Sequence, residues 1–161
     1  NNPNIIGTAR QLDDLTDKRV DVIPTSCMQE GIAALLAFSP DRDLALNVES
    51  ILEAVEFICS ASLTTATRDV ELDGTLVKMG DKIGLLDGKV AAASDTHVEV
   101  ARQLFRQPSV DGELVTIYRG EHSSEEEAAE IASIATQSLN SVEVEIVYGG
   151  QPHYPYLIAI E

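Results

Sequence analysis

Cysteine, basic residues and long apolar runs are all scarce in this sequence. Only two cysteines are present, which excludes a disulfide framework and favours a reducing compartment. Eleven basic residues face 27 acidic ones, and the formal net charge of −16 opposes binding to nucleic acid or to an anionic membrane. The longest apolar runs, such as IAALLAF at 32–38, are well short of a bilayer-spanning helix. We therefore expect a cytoplasmic protein without membrane insertion.

Spacings typical of metal or phosphate binding are also missing. The cysteines and the histidines form no CxxC or HxxxH pair, so we predict no metal site and interpret His97, His122 and His153 as surface residues. No GxxxxGK[ST] loop occurs, and Gly149–Gly150 is more typical of a tight turn than of a nucleotide loop. Cys27 is more typical of a small buried residue than of a nucleophile. We predict no catalytic residue.

The length of the chain fits one domain that has its own core. At 161 residues the sequence is long enough to bury such a core. It opens with NNPNII rather than with Met, which suggests a fragment of a larger protein. We expect a single domain over residues 1–161, with a β-rich insert at about 60–94.

The first third of the sequence alternates between helical and strand-like patterns. Asn4 is a candidate helix cap, because apolar residues follow it at helical spacing. RVDVIP at 19–24 predicts a short strand. A buried helix is then predicted up to Ser39–Pro40, and a second helix from Asp41 to about Ile58.

Turn and cap signals organise the remaining two thirds. Asp73–Gly74 and Asp87–Gly88 each separate short alternating runs, which is the strongest local signal for a β-hairpin. A helix is predicted from Asp95 to about Arg106, and the strand ELVTIY follows it. Ser124 and Glu127 then have the spacing of a capping box at the start of a long helix. The strand VEVEIVY and the apolar YLIAI, predicted to be a core strand, complete the chain.

This order predicts an α/β fold with a mixed, mostly parallel sheet and helices on both faces. Ligands bind such sheets at the carboxyl ends of the strands, where we expect four loops to gather. The candidate partner- or ligand-binding residues in these loops are Asn2, Asn4, Thr25, Gln29, Arg119, His122, Gln151 and Tyr154. Arg119 also has an ordinary alternative role, which is an ion pair with the nearby Glu121.

Several segments together resemble one known family over essentially the whole chain. VIPTSCMQEGIAALLAF, TIYRGEHSSEEEAAEIA and VEIVYGGQPHYPYLIAIE are the most specific of them. In these segments the sequence resembles the carboxyl-terminal region of bacterial fatty-acid kinases of the FakA or YloV-like family, which is related to dihydroxyacetone kinases. The resemblance also implies a fold similar to part of the DegV-like fold.

The resemblance implies that ATP and magnesium belong to an amino-terminal kinase domain of the parent protein. That kinase phosphorylates a fatty acid held by a separate protein of the FakB/DegV-like family, giving acyl phosphate for phospholipid synthesis. The present chain would then be a non-catalytic module without a cofactor that docks the fatty-acid-binding protein. The resemblance also places an apolar strand before Asn1, and a sheet edge left open without that strand favours a homodimer.

Two other functions remain alternatives. A small-ligand or anion sensor would use a concave pocket with converging donors at the loop edge. A hydrolase using Cys27 or His122 is the weakest alternative. A docking module instead needs exposed anchors, for which the four tyrosines, Tyr118, Tyr148, Tyr154 and Tyr156, are candidates.

Overall fold

A computed structural model describes residues 2–72 and 75–161. The chain divides into two units, residues 1–58 and residues 59–161. The predicted domain over 1–161 thus consists of two parts, each with its own internal packing.

The first unit is helical. It contains α1 (Pro3–Arg10), a short 3₁₀ helix (Gln11–Asp14), α2 (Met28–Ala37) and α3 (Leu44–Glu56). The Asn2 side chain caps α1 by accepting a hydrogen bond from the Asn4 backbone N–H at 2.9 Å. The cap therefore lies two residues before the predicted Asn4, because Pro3 already fits the first helical position.

A buried asparagine fixes the connection between α2 and α3. Asn47 Oδ1 accepts from the Ser39 backbone N–H at 2.8 Å, and its Nδ2 donates to the carbonyls of Ser39 and Arg42. Asp43 caps α3 by accepting from the Leu46 N–H at 2.9 Å, so the helix begins later than the predicted Asp41. These bonds satisfy backbone groups that the helix ends leave without partners.

The strand predicted for RVDVIP does not form. Within the described part of the chain, residues 19–24 belong to no strand and pair with none. The prediction was wrong because an apolar alternating pattern defines only a side-chain arrangement. A strand also needs a neighbouring strand that completes its backbone hydrogen bonds.

The second unit contains two helices and all the assigned strands of the described residues. The helices are α4 (His97–Leu104) and α5 (Glu125–Ser138). The strands are β1 (Cys59–Thr65), β2 (Val70–Leu72), β3 (Thr75–Val77), β4 (Lys82–Leu86), β5 (Lys89–Ser94), β6 (Leu114–Arg119), β7 (Glu143–Tyr148) and β8 (Tyr156–Ile160).

Six of these strands form a mixed sheet in the order β5-β4-β1-β8-β6-β7. The predicted α/β class is confirmed, but the expectation of mostly parallel pairing is corrected, because only β6 and β7 run parallel. Short turns join β4 to β5 and β7 to β8, and β8 enters between β1 and β6 antiparallel to both. Such connections reverse the chain, whereas a parallel neighbour needs a crossover like α5.

Both helices of the second unit pack on one face of the sheet, which differs from the predicted cover on both faces. The core on this face combines residues of alternating strand positions with the inner sides of α4 and α5. Its central members are Leu63, Val100, Ile117, Ile131 and Ile158, all of which are fully buried. The predicted core strand YLIAI is β8, and all five of its residues are buried.

The predicted hairpin at Asp87–Gly88 is confirmed. Leu86 pairs with Lys89 across a two-residue turn in which Asp87 and Gly88 have φ of 48° and 78°. Glycine suits this turn because it adopts positive φ without steric cost. The second predicted turn, Asp73–Gly74, lies outside the described residues, although β2 and β3 on its two sides pair antiparallel.

The predicted β-rich insert at about 60–94 contains five strands. β1, β4 and β5 belong to the main sheet, while β2 and β3 form a separate two-stranded sheet. Most of this stretch is therefore an integral part of the second unit.

Candidate functional site

Two chain connections meet at one end of the six-stranded sheet. β6 ends at Arg119 and leads into α5, and β7 ends at Tyr148 and leads into β8. We call residues 120–124 the first turn and residues 149–155 the proline loop. Because β6 and β7 are parallel, their carboxyl ends lie together, as the sequence predicted for this pair of loops.

Backbone hydrogen bonds hold the two connections together. The N–H groups of Gly149 and Gly150 donate to the Arg119 carbonyl at 2.8 and 3.0 Å, and the Glu121 N–H donates to the Gln151 carbonyl at 3.1 Å. The Gly120 N–H donates to the Pro155 carbonyl at 2.8 Å. A Cβ on Gly120 would lie only 2.5 Å from the Tyr154 carbonyl oxygen, so this close approach requires glycine.

Gln151 joins the proline loop to β6 through its side chain. Its Nε2 donates to the Tyr118 carbonyl at 2.8 Å and to the Tyr154 carbonyl at 3.1 Å. Its Oε1 is buried and has no hydrogen-bond partner among the described residues. The amide therefore shapes the loop from inside.

Arg119 pairs with another side chain than the one predicted. Its Nη2 lies 2.9 Å from Glu125 Oε1, and its guanidinium lies 5.4 Å from the centre of the Tyr148 ring. Glu121, the predicted partner, instead contacts His122 Nε2 at 2.8 Å. An incoming anion would have to compete with Glu125 for the Arg119 charge.

The start of α5 is also provided with negative charge. Ser124 accepts from the Glu127 N–H at 3.2 Å, which confirms the predicted cap, and Glu125, Glu126 and Glu127 occupy the first turn of the helix. A backbone N–H and the Ser124 hydroxyl lower the pKa of Glu126, because both stabilise its charged form. These carboxylates already complement the helix dipole.

A cleft opens beside the proline loop. Its volume is about 540 Å³, and it is lined by Thr64, Thr65, Thr67, His122 and residues 151–155. The Thr64 hydroxyl donates to the His153 carbonyl at 3.3 Å, and Lys82 Nζ donates to the Thr65 hydroxyl at 3.0 Å. Threonines of β1 and of the segment after it thus face the loop, a contribution that the sequence did not predict.

A buried polar cluster lies below this end of the sheet. Tyr156 is fully buried, donates to Glu127 Oε2 at 2.6 Å and accepts from the Ser124 N–H at 3.3 Å. His97 Nδ1 lies 3.4 Å from the same carboxylate oxygen. His97 is 8% exposed, so its interpretation as a surface residue was wrong, whereas the side chain of His122 is 77% exposed.

Burial dominates the protonation of this cluster. It lowers the pKa of His97, although the adjacent Glu127 carboxylate opposes the shift. Burial, together with Glu127, also raises the pKa of Tyr156 far above its usual range. The phenol and the imidazole are therefore neutral near pH 7, and Glu127 is the charged member.

The remaining predicted site residues lie in the first unit. Asn2 and Asn4 are at the start of α1, while Thr25 and Gln29 are buried before and within α2. In the second unit the structure brings Arg119, His122, Gln151 and Tyr154 together. The gathering of all four predicted loops stays a prediction.

The cysteines and acidic residues show no arrangement for metal or nucleophilic chemistry in the described residues. No group of three or more potential ligands could hold a metal ion there. Burial and the nearby Asp87 raise the pKa of the Cys59 thiol to about 11, which opposes formation of a thiolate. In the same described portion, no helix is both long and apolar enough to cross a bilayer.

A solved structure shares this fold. A DegV family protein from Corynebacterium glutamicum superposes with a TM-score of 0.66 at 16% identity, over 96% of the present chain and 68% of its own. The likeness confirms the expected similarity to part of the DegV-like fold.

Protein relatives match the chain over its full length. Protein YloV of Bacillus subtilis is 36% identical, and uncharacterized proteins of Staphylococcus haemolyticus and Staphylococcus aureus are 34% and 31% identical. The chain spans 29% of the length of the first two and 30% of the third. The family model for the carboxyl-terminal part of FakA-like fatty acid kinase proteins matches residues 1–161. The chain therefore belongs to the FakA-like, C-terminal family of fatty acid kinase proteins.

Proposed function

We propose that this chain is a non-catalytic, cytoplasmic docking module of a fatty-acid kinase. It receives the fatty-acid-binding protein of the FakB/DegV-like family and presents it to the kinase domain of the parent protein. ATP and magnesium bind in that kinase domain, so the module itself needs no cofactor. Family membership supports the kinase parent, and the arrangement of the proline loop supports docking.

The observation that carries the proposal is the rigid display of exposed side chains beside the clamped loop. Tyr154 is 39% exposed, and the His122 side chain projects from the first turn. Their backbones are fixed by the bonds between Gly120 and Pro155 and between Glu121 and Gln151. An anchor held in its bound conformation loses little entropy on association, and tyrosine is a frequent anchor in interfaces.

The exposures distinguish among the four candidate tyrosines. Tyr148 and Tyr154 are exposed, Tyr118 is partly buried, and Tyr156 is fully buried and cannot contact a partner. We assign the anchor role to Tyr154, because it lies in the proline loop itself. The formal charge of −16 would in addition speed encounter with a partner that presents a basic surface.

Calorimetry of the 161-residue chain with the purified fatty-acid-binding protein tests this proposal. We expect saturable binding that Tyr154→Ala and His122→Ala each weaken by about tenfold, in the range of an interface anchor. Thr136→Ala on the exposed side of α5 is the matched control and should bind as the unmodified chain does. Absence of binding by the unmodified chain, or equal binding by all variants, would overturn docking at this loop.

The cleft supports a second candidate, a sensor for small anions. Its threonine hydroxyls and His122 are suitable donors, and its volume of about 540 Å³ would admit a small ligand. Titration with inorganic phosphate, followed by amide chemical shifts of residues 64–67 and 151–155, separates the two functions. Shifts that saturate and that Thr65→Val abolishes would favour the sensor, whereas unchanged shifts would exclude this anion.

A further inference from the structure

The outer edge of the six-stranded sheet is formed by β7, and this edge is open. β7 is the last strand in the sheet order and pairs only with β6 among the described strands. Its register with β6 is continuous from Leu114↔Glu143 to Arg119↔Tyr148. The six residues EVEIVY contain neither proline nor lysine, the residues that most often protect exposed edges.

Backbone groups alternate along this strand. The Glu143 N–H donates to the Glu113 carbonyl and the Gly149 N–H donates to the Arg119 carbonyl, each at 2.8 Å, so odd-numbered residues point toward β6. In a parallel ladder the residues between them point away from that neighbour. The N–H and C=O groups of Val144, Ile146 and Tyr148 therefore face outward.

The opposite edge of the sheet is protected. β5 begins with the exposed Lys89, and its register with β4 shifts between Gly84 and Leu85. Strand β3 also contacts β5. A lysine, an irregular register and a covering segment each hinder the addition of another strand. The contrast indicates that the regular edge at β7 is a distinct feature of this sheet.

The side chains of β7 define the chemistry of a matching strand. Glu143 and Glu145 are exposed on the face without α4 and α5, and Ile146 is 41% exposed on the other face. Burial raises the pKa of Tyr118 in the adjacent strand, and the Glu161 and Glu145 carboxylates raise it further. The edge is thus negative on one face and apolar on the other.

We propose that β7 binds an extended protein segment in which basic side chains alternate with apolar ones. Such a segment would add a seventh strand, with its basic residues opposite Glu143 and Glu145 and its apolar residues beside Ile146. A second copy of this chain is the less favourable occupant, because each copy has a formal charge of −16 and would bring the same glutamates to the seam. This surface is separate from Tyr154 and His122, so the proposal does not depend on docking at the proline loop.

Amide exchange measured by NMR on the 161-residue chain tests the added strand. The probe is the capped peptide Lys-Val-Lys-Ile-Lys-Val at saturating concentration. We expect exchange at Val144, Ile146 and Tyr148 to slow by about tenfold or more, because these amides become hydrogen-bonded. Exchange at Glu145 and Val147, whose amides already face β6, should stay unchanged. Equal exchange at all five positions with and without the peptide would overturn the proposal.

A peptide of the same sequence with N-methyl groups on alternate residues is the matched control. It keeps every charge but loses the donors that pair with an edge, so we expect it to bind at least about tenfold more weakly. Equal affinity of the two peptides would mean simple charge attraction and would overturn strand addition. This comparison uses the unmodified chain and does not depend on any variant folding.

Two variants assign the site to β7. Ile146→Pro removes an outward N–H without removing a bond to β6, and we expect it to abolish peptide binding. Glu143→Gln with Glu145→Gln should weaken binding and flatten its dependence on salt. Unchanged binding by Ile146→Pro would overturn the assignment. Sedimentation that shows a dimer abolished by Ile146→Pro would identify a second copy as the occupant and would overturn the basic segment.

Discussion

The Tyr156 hydroxyl donates a hydrogen bond of 2.6 Å to the Glu127 carboxylate. This bond connects the central strand β8 to the first turn of α5, in the cluster that also contains His97. Glu127 occupies the position whose side chain usually returns to the cap residue of its own helix. Here the Tyr156 hydroxyl accepts from the Ser124 N–H instead, so a tertiary contact completes the cap.

Removal of this hydroxyl should destabilise the protein. We expect Tyr156→Phe to reduce the free energy of unfolding by about 1–3 kcal/mol, because it deprives a partly buried carboxylate and a backbone N–H of their partner. Tyr154→Phe, at an exposed ring, is the matched control and should change stability by less than about 0.5 kcal/mol. Urea unfolding of both variants measures the difference, and equal midpoints would contradict the role of the bond.

The buried His97 predicts a specific dependence of stability on pH. Its pKa in the folded protein is below the ordinary 6.5, with burial as the largest cause. Below pH 6.5 the unfolded chain therefore binds a proton that the folded protein does not yet bind, and stability falls as the pH falls toward the folded pKa. Above pH 6.5 both states are neutral at this residue, and its contribution is constant.

His97→Gln should remove this part of the pH dependence. We expect the unfolding free energy of the unmodified protein to fall more steeply between pH 6.5 and 5 than that of the variant. Denaturant titrations of both proteins at several pH values provide the comparison. The same slope in both proteins would show that another group titrates in this range. His122→Gln, at an exposed ring, is the control that should leave the slope unchanged.

The proline loop depends on the Gln151 amide. Gln151→Ala would leave the Tyr118 and Tyr154 carbonyls without their side-chain donor, and we expect a loss of about 1–3 kcal/mol in unfolding free energy. Gln137→Ala removes an amide that bonds only to Ser133 on the exposed side of α5 and should cost a few tenths of that value. Equal losses in the two variants would mean that the loop is held by its backbone bonds alone.

The turn between β4 and β5 requires a residue with positive φ. We expect Gly88→Ala to destabilise the protein by about 1–2 kcal/mol, because Gly88 has a φ of 78°. Gly88→Asn should cost less, since asparagine enters this region of backbone space more readily. Thermal unfolding of the two variants gives the order, and a stability of Gly88→Ala equal to that of the unmodified chain would contradict the turn assignment.

Local signals in the sequence predicted the elements that short segments can form alone. Asp87–Gly88 identified its hairpin and Ser124 its helix cap, because each depends on neighbours within a few residues. The strand at 19–24 and the mostly parallel pairing were wrong, because strand pairing depends on segments far apart in the chain.

The candidate site was predicted to a similar extent. The meeting of the Arg119 and Gln151 loops followed from the parallel pair β6 and β7, which the α5 crossover favours. The threonines of the cleft and the burial of His97 were missed. Both depend on β1 and β8 lying side by side at the centre of the sheet, for which no local pattern gives a signal.

The position of β8 has a consequence for synthesis on the ribosome. The strands of the sheet emerge in chain order, yet the fifth of the six, β7, reaches only the outer edge, and the centre is filled by residues 156–160. Before those residues are made, β1 and β6 have no common neighbour, and the apolar sides of α4 and α5 lack half of their contact surface. Nascent chains of this unit must therefore stay unassembled until translation has passed Ile160, and a product that stops a few codons earlier would be a substrate for chaperones and proteases.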